Sequence, residues 1–184
     1  MQNGSNTLRS LTLFVSSHFM FNVLGKMQSE ILGGEKREAI STLTLYSRLV
    51  RQACSIAHSD KISLNDEALF LENYLKLEKD RFIETPFNYS ILGFDKDEIY
   101  IEPFLLQPFV ELAVLGGLGR VGGLISIEYM TTENAIMLIS VMQFKDVNEK
   151  LSEKLNVAKE RLTFFNHRYE IVEEEHRFLQ KISL

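Results

Sequence analysis

The sequence predicts an α+β chain: an N-terminal antiparallel helical hairpin that pairs with a second copy into a four-helix bundle, then a small α/β sandwich. Three observations predict it. The segment from Thr7 to Leu32 is dense in Leu, Phe, Val and Met without strand-like alternation and stops at Gly33-Gly34. From Lys36 to His58, the residues Ala39, Leu43, Tyr46, Val50, Ala53 and Ala57 recur at alternating steps of four and three, the spacing of a coiled-coil seam. Beyond Pro86 the period changes from helical to mixed.

Two helices joined by Gly-Gly make a hairpin whose apolar surface is too large for one copy to hide, hence the expected dimer. A third helix is expected from Ser63, whose hydroxyl can cap the amide of Asp66, to about Phe82, with Leu64, Ala68, Leu71 and Leu75 on one face. Strands are expected at Phe87 to Phe94, Leu124 to Met130 and Ala135 to Phe144, the last two joined by a polar turn at Glu133-Asn134. Phe104 to Leu115 and Val147 to Phe165 read as helices, and Tyr169 to Glu174 and Phe178 to Leu184 as a final pair of strands around Glu175-His176. The expected division is residues 1–62 for the hairpin and 63–184 for the α+β part.

With 45% hydrophobic residues in a chain of 184, a core is available. The net charge of −5 and scattered Lys and Arg leave no basic footprint for nucleic acid or an anionic membrane. The single cysteine, Cys54, and the lack of a secretion signal point to the cytoplasm, or to the cytoplasmic part of a membrane-associated sensor. The most apolar stretch, Ile99 to Leu118, is interrupted by Glu102, Pro103, Gln107, Pro108 and Glu111, so no membrane span is expected within this chain.

His18 lies in the first helix at the edge of an apolar stripe, where a core or interface histidine and a reactive one are both open readings. Asn22 stands one turn along, with a solvated helix residue or a partner to the His18 ring as its two readings. Gly117-Leu118-Gly119-Arg120-Val121-Gly122 fits a dinucleotide fingerprint only formally, because that motif needs a strand before it and a helix after it, the reverse of the order here. His58, His167 and His176 have no ligand spacing and read as surface histidines. Glu72-Asn73 with Glu78-Lys79-Asp80-Arg81 reads as the solvated face of the third helix, and Met20, Met27 and the phenylalanines around them as core.

The string His18-Phe19-Met20-Phe21-Asn22 resembles the histidine box of LytS-type sensor histidine kinases. Tyr46-Ser47-Arg48-Leu49-Val50-Arg51, Ser63-Leu64-Asn65-Asp66-Glu67, Tyr74 through Phe82, Pro103 through Glu111, and Leu155-Asn156-Val157 with Arg161-Leu162 are similar to further segments of that family, in the family's order. The resemblance implies a sensor kinase transmitter whose second part is a GHKL-type ATPase domain. It implies that His18 is the phosphoacceptor, that a response-regulator receiver domain is the partner, and that the chain is a homodimer.

The resemblance also has departures. The family's magnesium-holding Asn after the position of Glu111 is Leu112 here, and an alkyl group cannot ligate a hard cation. Its Asp-Asn-Gly is Gln143-Phe144-Lys145, and its glycine box is Ser152-Glu153-Lys154, whose carboxylate repels phosphate. Glu111 and Gln143 are therefore expected as vestiges of a nucleotide site. No cofactor is expected, ATP and Mg²⁺ entering only if that site works. Because metal and phosphate contacts supply most of phosphoryl-transfer catalysis, the expectation is phosphorelay through His18 rather than autophosphorylation from ATP. The alternative is a pseudokinase module that docks on a regulator or kinase without transfer.

Overall fold

A computed structural model describes residues 17–82, 87–95, 98–115, 123–130, 133–141, 149–174 and 177–184. Helix α1 (Ser17–Leu32) and helix α2 (Lys36–Ala57) form the expected antiparallel pair. The turn between them closes α1 with paired backbone bonds, Glu35 N to Glu30 O at 2.8 Å and Gly34 N to Ile31 O at 3.2 Å. This closure requires a left-handed residue, and Gly34 supplies it at φ 80°. The start of the expected first helix, Thr7 to Ser16, lies outside the described residues.

The stripe that packs within the hairpin differs from the predicted seam. Ala39, Thr42, Leu49, Ala53, Ile56 and Ala57 are buried on α2, whereas Leu43 is half-exposed. Thr42 is buried because it completes a polar contact with α1: Lys26 donates to Glu30 at 2.5 Å and to Thr42 at 3.2 Å, and Thr42 donates to Glu30 at 3.2 Å. On α1, Phe19 and Met27 are buried as expected, and Val23 with them, but Met20 is only half-buried and Phe21 is 70% exposed, so neither is core.

Helix α3 (Leu64–Lys79) follows the short strand β1 (Ile62–Ser63). Its cap is the one predicted: the Ser63 hydroxyl accepts from Asp66 N at 3.0 Å and donates to the Asp66 carboxylate at 2.9 Å. Tighter turns at Arg81 and Phe82 replace the predicted last turn of helix. Leu64, Ala68, Leu71 and Leu75 are buried as expected, and so are Glu67, Phe70, Asn73, Tyr74 and Glu78, because α3 is covered on several sides. It lies against α2 on one side and against β2 (Phe87–Leu92) on another. Asn73 donates to Gln52 at 3.1 Å, a bond from α3 to α2.

Strand β3 (Tyr100–Ile101) pairs antiparallel with β1. Helix α4 (Gln107–Ala113) begins three residues later than predicted, with Pro108 in its first turn and Phe104 at φ 56° in the preceding turn. The main sheet has the order β2-β4-β5-β7-β6, formed with β4 (Gly123–Met130), β5 (Ala135–Val141), β6 (Arg168–Glu174) and β7 (Arg177–Ser183). The pair β2/β4 is parallel and the others are antiparallel. The β4–β5 turn falls at Glu133-Asn134 as predicted, with Asn134 at φ 47° accepting from the Tyr129 hydroxyl at 2.8 Å.

Along β4 the buried residues Ile125, Ile127 and Tyr129 alternate with exposed or half-buried ones, so one face of the sheet packs on the core. Helix α5 (Glu149–Phe164) lies against α4 and β6. It ends in the same backbone pattern as α1, here with Asn166 in the left-handed position at φ 64°. The buried apolar cluster runs continuously from Phe19 of α1 to Ile182 of β7. Among the described residues, no helix is long and apolar enough to cross a membrane.

Two of the glycines at positive φ, Gly34 and Gly93, sit in different surroundings. A Cβ on Gly34 meets nothing within 4 Å, whereas one on Gly93, at φ 75°, meets the Tyr129 carbonyl oxygen at 2.8 Å. Gly34→Ala should therefore cost only the left-handed strain, about 1–2 kcal/mol. Gly93→Ala should cost clearly more, because backbone of β4 must move. Urea midpoints of the two variants check this, and equal losses would show that the Tyr129 contact yields freely.

Candidate functional site

His18 is the second described residue of α1, and the helical period puts position 18 on the same flank as Asn22. Asn22 itself is half-buried. The neighbouring Phe19 turns inward, and its ring lies 5.1 Å from that of Tyr74 and 6.4 Å from that of Tyr46. Helix α1 is thereby anchored one residue beyond His18 to both α2 and α3.

Tyr74 continues the connection inward. Its hydroxyl is bonded to the buried carboxylate of Glu78, which also takes Arg81 at 2.5 Å. Burial pushes the Tyr74 hydroxyl well above its ordinary value, and the charges of Glu78 and Glu111 push the same way. Burial likewise raises Glu78, with Arg81 pulling it back. Asn73 and Glu78, both 2% exposed, thus contradict the predicted solvated face, while Glu72 keeps to it, paired with Lys76 at 2.7 Å at the surface. Glu78 sits in the interior because Arg81 and Tyr74 offset the cost of burying its charge.

Glu111, a predicted site residue, is buried on α4 and accepts from Gln107 at 3.3 Å. It acts electrostatically on both Tyr74 and Glu78. Leu112 is 3% exposed. As donors for Mg²⁺ these residues fit poorly, since Leu112 has no ligand atom and Glu111 is engaged within the protein. Gln143, the other predicted residue, lies outside the described residues, as do Arg120 and the glycines around it. The structure therefore brings His18 and Asn22 together on one helix and ties that helix to Glu111 through Phe19, Tyr74 and Glu78.

The turn before α4 carries residues that the sequence reading passed over. Glu67, 0% exposed, accepts from Phe104 N at 3.0 Å and from Leu106 N at 2.9 Å. From the other side, Arg161 of α5 donates to the carbonyls of Phe104, at 3.2 Å, and Pro103. Burial pushes the Glu67 carboxyl up to about 7, against the pull of the Leu106 amide, the Arg161 charge and the Phe104 amide. Burial also lowers Arg161, against Glu67 and Glu102.

His167 is no free surface histidine: it lies 2.7 Å from Glu102, which also faces Lys61 at 3.6 Å. Burial raises the Glu102 carboxyl, but the bond to His167 and the charges of His167 and Lys61 outweigh it, so the net shift is downward. His58 is exposed as expected, its Nδ1 2.6 Å from the Cys54 carbonyl. The signal for Glu67 and Glu78 is in the spacing of α3, where both stand at core positions of the stripe begun by Leu64.

Residues 6–85 match the histidine kinase family model. The chain is 28% identical over 149 residues to the sensor protein LytS of Oceanobacillus iheyensis, an alignment covering 78% of this chain and 25% of that protein. It spans about a quarter of that curated relative. Among solved structures, a bacterial phosphotransferase superposes with a TM-score of 0.52 at 10% identity, covering 98% of this chain and 95% of the other, a likeness of fold. Over the hairpin and α3 the chain thus matches the histidine kinase family model, and over a longer stretch it is similar to a LytS sensor protein.

Proposed function

We propose that the chain is a dimeric phosphorelay protein in which His18 exchanges phosphoryl groups with the receiver domain of a response regulator, and in which the ability to bind ATP has been lost. The observation that carries this reading is the placement of the His18 box on α1 of the hairpin, with Phe19 locking the helix inward. On the same hairpin Phe21, Leu24, Ile31 and Leu32 of α1 and Ile40 and Leu43 of α2 stay exposed. Such a patch is costly in water, and a second copy that completes a four-helix bundle would cover it. In this reading residues 1–62 form the dimerisation and phosphotransfer unit and residues 63–184 the scaffold.

The chemistry needs only the lone pair of an imidazole that is neutral near pH 7. A ring nitrogen of His18 attacks the phosphorus of an aspartyl phosphate on the receiver. The N–P bond forms as the bond from phosphorus to the aspartate oxygen breaks, and the carboxylate leaves with the electron pair. Reversal returns the group to the receiver. Asn22, one turn along, is assigned to hold the ring or the phosphoryl oxygens through its amide. Loss of nucleotide binding is supported by the buried alkyl side chain at Leu112 and by the internal engagement of Glu111. A bacterial phosphotransferase shares this fold.

Incubation with a phosphorylated receiver should label the chain with an acid-labile phosphohistidine, and His18→Ala should abolish the label while leaving the dimer intact. Binding of the receiver without any label would favour a docking module over a relay. In calorimetry, Mg-ATP should give no binding heat at micromolar concentrations, and clear micromolar affinity would overturn the reading of Leu112 and Glu111.

A further inference from the structure

We propose that Tyr74 is a positioning residue for His18: braced by Glu78 and Arg81, it seats Phe19 and thereby sets the azimuth of position 18 on α1. The inference rests on the phosphotransfer reading of His18 and gives the α+β part of the chain a share in that step. Phe19 and Tyr74 are 4% and 2% exposed, and their rings lie 5.1 Å apart at an angle of 38°. Neighbouring positions on an α-helix are separated by about 100°, so the seat that fixes Phe19 also fixes the direction in which position 18 leaves the helix.

The firmness of the seat comes from α3. The Tyr74 hydroxyl is bonded to the Glu78 carboxylate, and Arg81 holds that carboxylate at 2.5 Å. Arg81 in turn lies 4.4 Å from the centre of the Phe82 ring, which stands 6.2 Å from the ring of Phe87, the first residue of β2. Tyr74 is therefore held at both ends, at its ring by Phe19 and at its hydroxyl by a carboxylate that is itself buried and paired. Tyr46, the other ring beside Phe19, is half-buried and stands farther off, at 6.4 Å. Val23 and Met27 continue the buried stripe toward the Gly-Gly turn, away from position 18.

The size of the effect follows from leverage. An α-helix with its side chains has a radius of about 5 Å, so a rotation of about 20° around its axis carries a side chain through roughly 2 Å. Transfer of a phosphoryl group between aligned oxygen and nitrogen tolerates less, since a misplacement of about 1 Å can cost roughly a hundredfold in rate. A smaller side chain in place of Tyr74 leaves a hollow under Phe19 into which α1 can turn. Docking of a receiver uses exposed residues and does not pass through this buried contact.

Single-turnover transfer to the full chain from a receiver domain loaded with acetyl phosphate, followed over a range of receiver concentrations, tests the role. Tyr74→Leu should slow transfer at saturating receiver by about ten- to a hundredfold and leave the half-saturating concentration within about twofold. Phe19→Leu should do likewise, and the double variant should be no slower than the slower single one, the mark of a shared contact. Gln52→Ala, which removes the bonds to Asn73 and to the Asp66 carbonyl without touching Phe19, should lower the melting temperature and leave the rate unchanged. An undiminished rate in Tyr74→Leu, additive losses in the double variant, or a matching loss in Gln52→Ala would overturn the proposal while leaving phosphotransfer intact. An unaltered chain that takes no label would instead remove the phosphotransfer reading, and the positioning role with it. Should Tyr74→Leu fail to fold, Tyr74→Phe decides, because it keeps the ring and loses the brace. A several-fold slower transfer at the same half-saturating concentration sustains the proposal, and an unchanged rate ends it.

Discussion

The carboxylate of Glu67 imposes the constraint on which the C-terminal architecture is assembled. Without it the turn at residues 103–106 would present two buried amides with no acceptor, and unpaired buried donors are among the costlier defects a fold can carry. With it, three separate parts of the chain meet at one place: α3, the start of α4, and α5 through Arg161. The pair Phe70 and Phe104, 5.1 Å apart and edge to face, fills the apolar space beside this polar grip. Glu102, His167 and Lys61 extend it to the α5–β6 junction and to the link between α2 and β1. The helices on the sheet are thus positioned by directional bonds at their ends as much as by apolar contact along their lengths.

The features legible in the sequence were those whose cause is local. Gly33-Gly34 ends α1 because a left-handed residue is needed within four bonds of the helix, and the sequence contains it at that place. The Ser63 cap and the Glu133-Asn134 turn are legible for the same reason: side chain and backbone partner lie within a few residues of each other. Local signals of this kind are not overruled by tertiary context unless something distant pays more.

The misread features were those settled by distant partners. Phe104 looks like the first residue of a helix by composition, but Glu67 and Arg161, separated from it by 37 and 57 residues, hold it in a turn. Glu78 and Asn73 look solvated by type, yet α2 and Arg81 give them partners that permit burial. The seam of α2 was half legible, because periodicity identifies a stripe but does not say which edge meets α1 and which is left outward. His18 and Asn22 could be singled out from the sequence through family resemblance alone, since a histidine at the edge of an apolar stripe carries no local mark of reactivity.

Tyr74 stacks on Phe19 with one part of its side chain and bonds to Glu78 with the other. Few alternatives meet both demands. Phe would retain the ring and deprive a buried carboxylate of its donor, while His or Gln would offer a polar atom and leave a hollow against α1. The position is thus nearly closed to amino-acid exchange, and its neighbours Phe19 and Glu78 can drift only in ways that continue to suit a phenol.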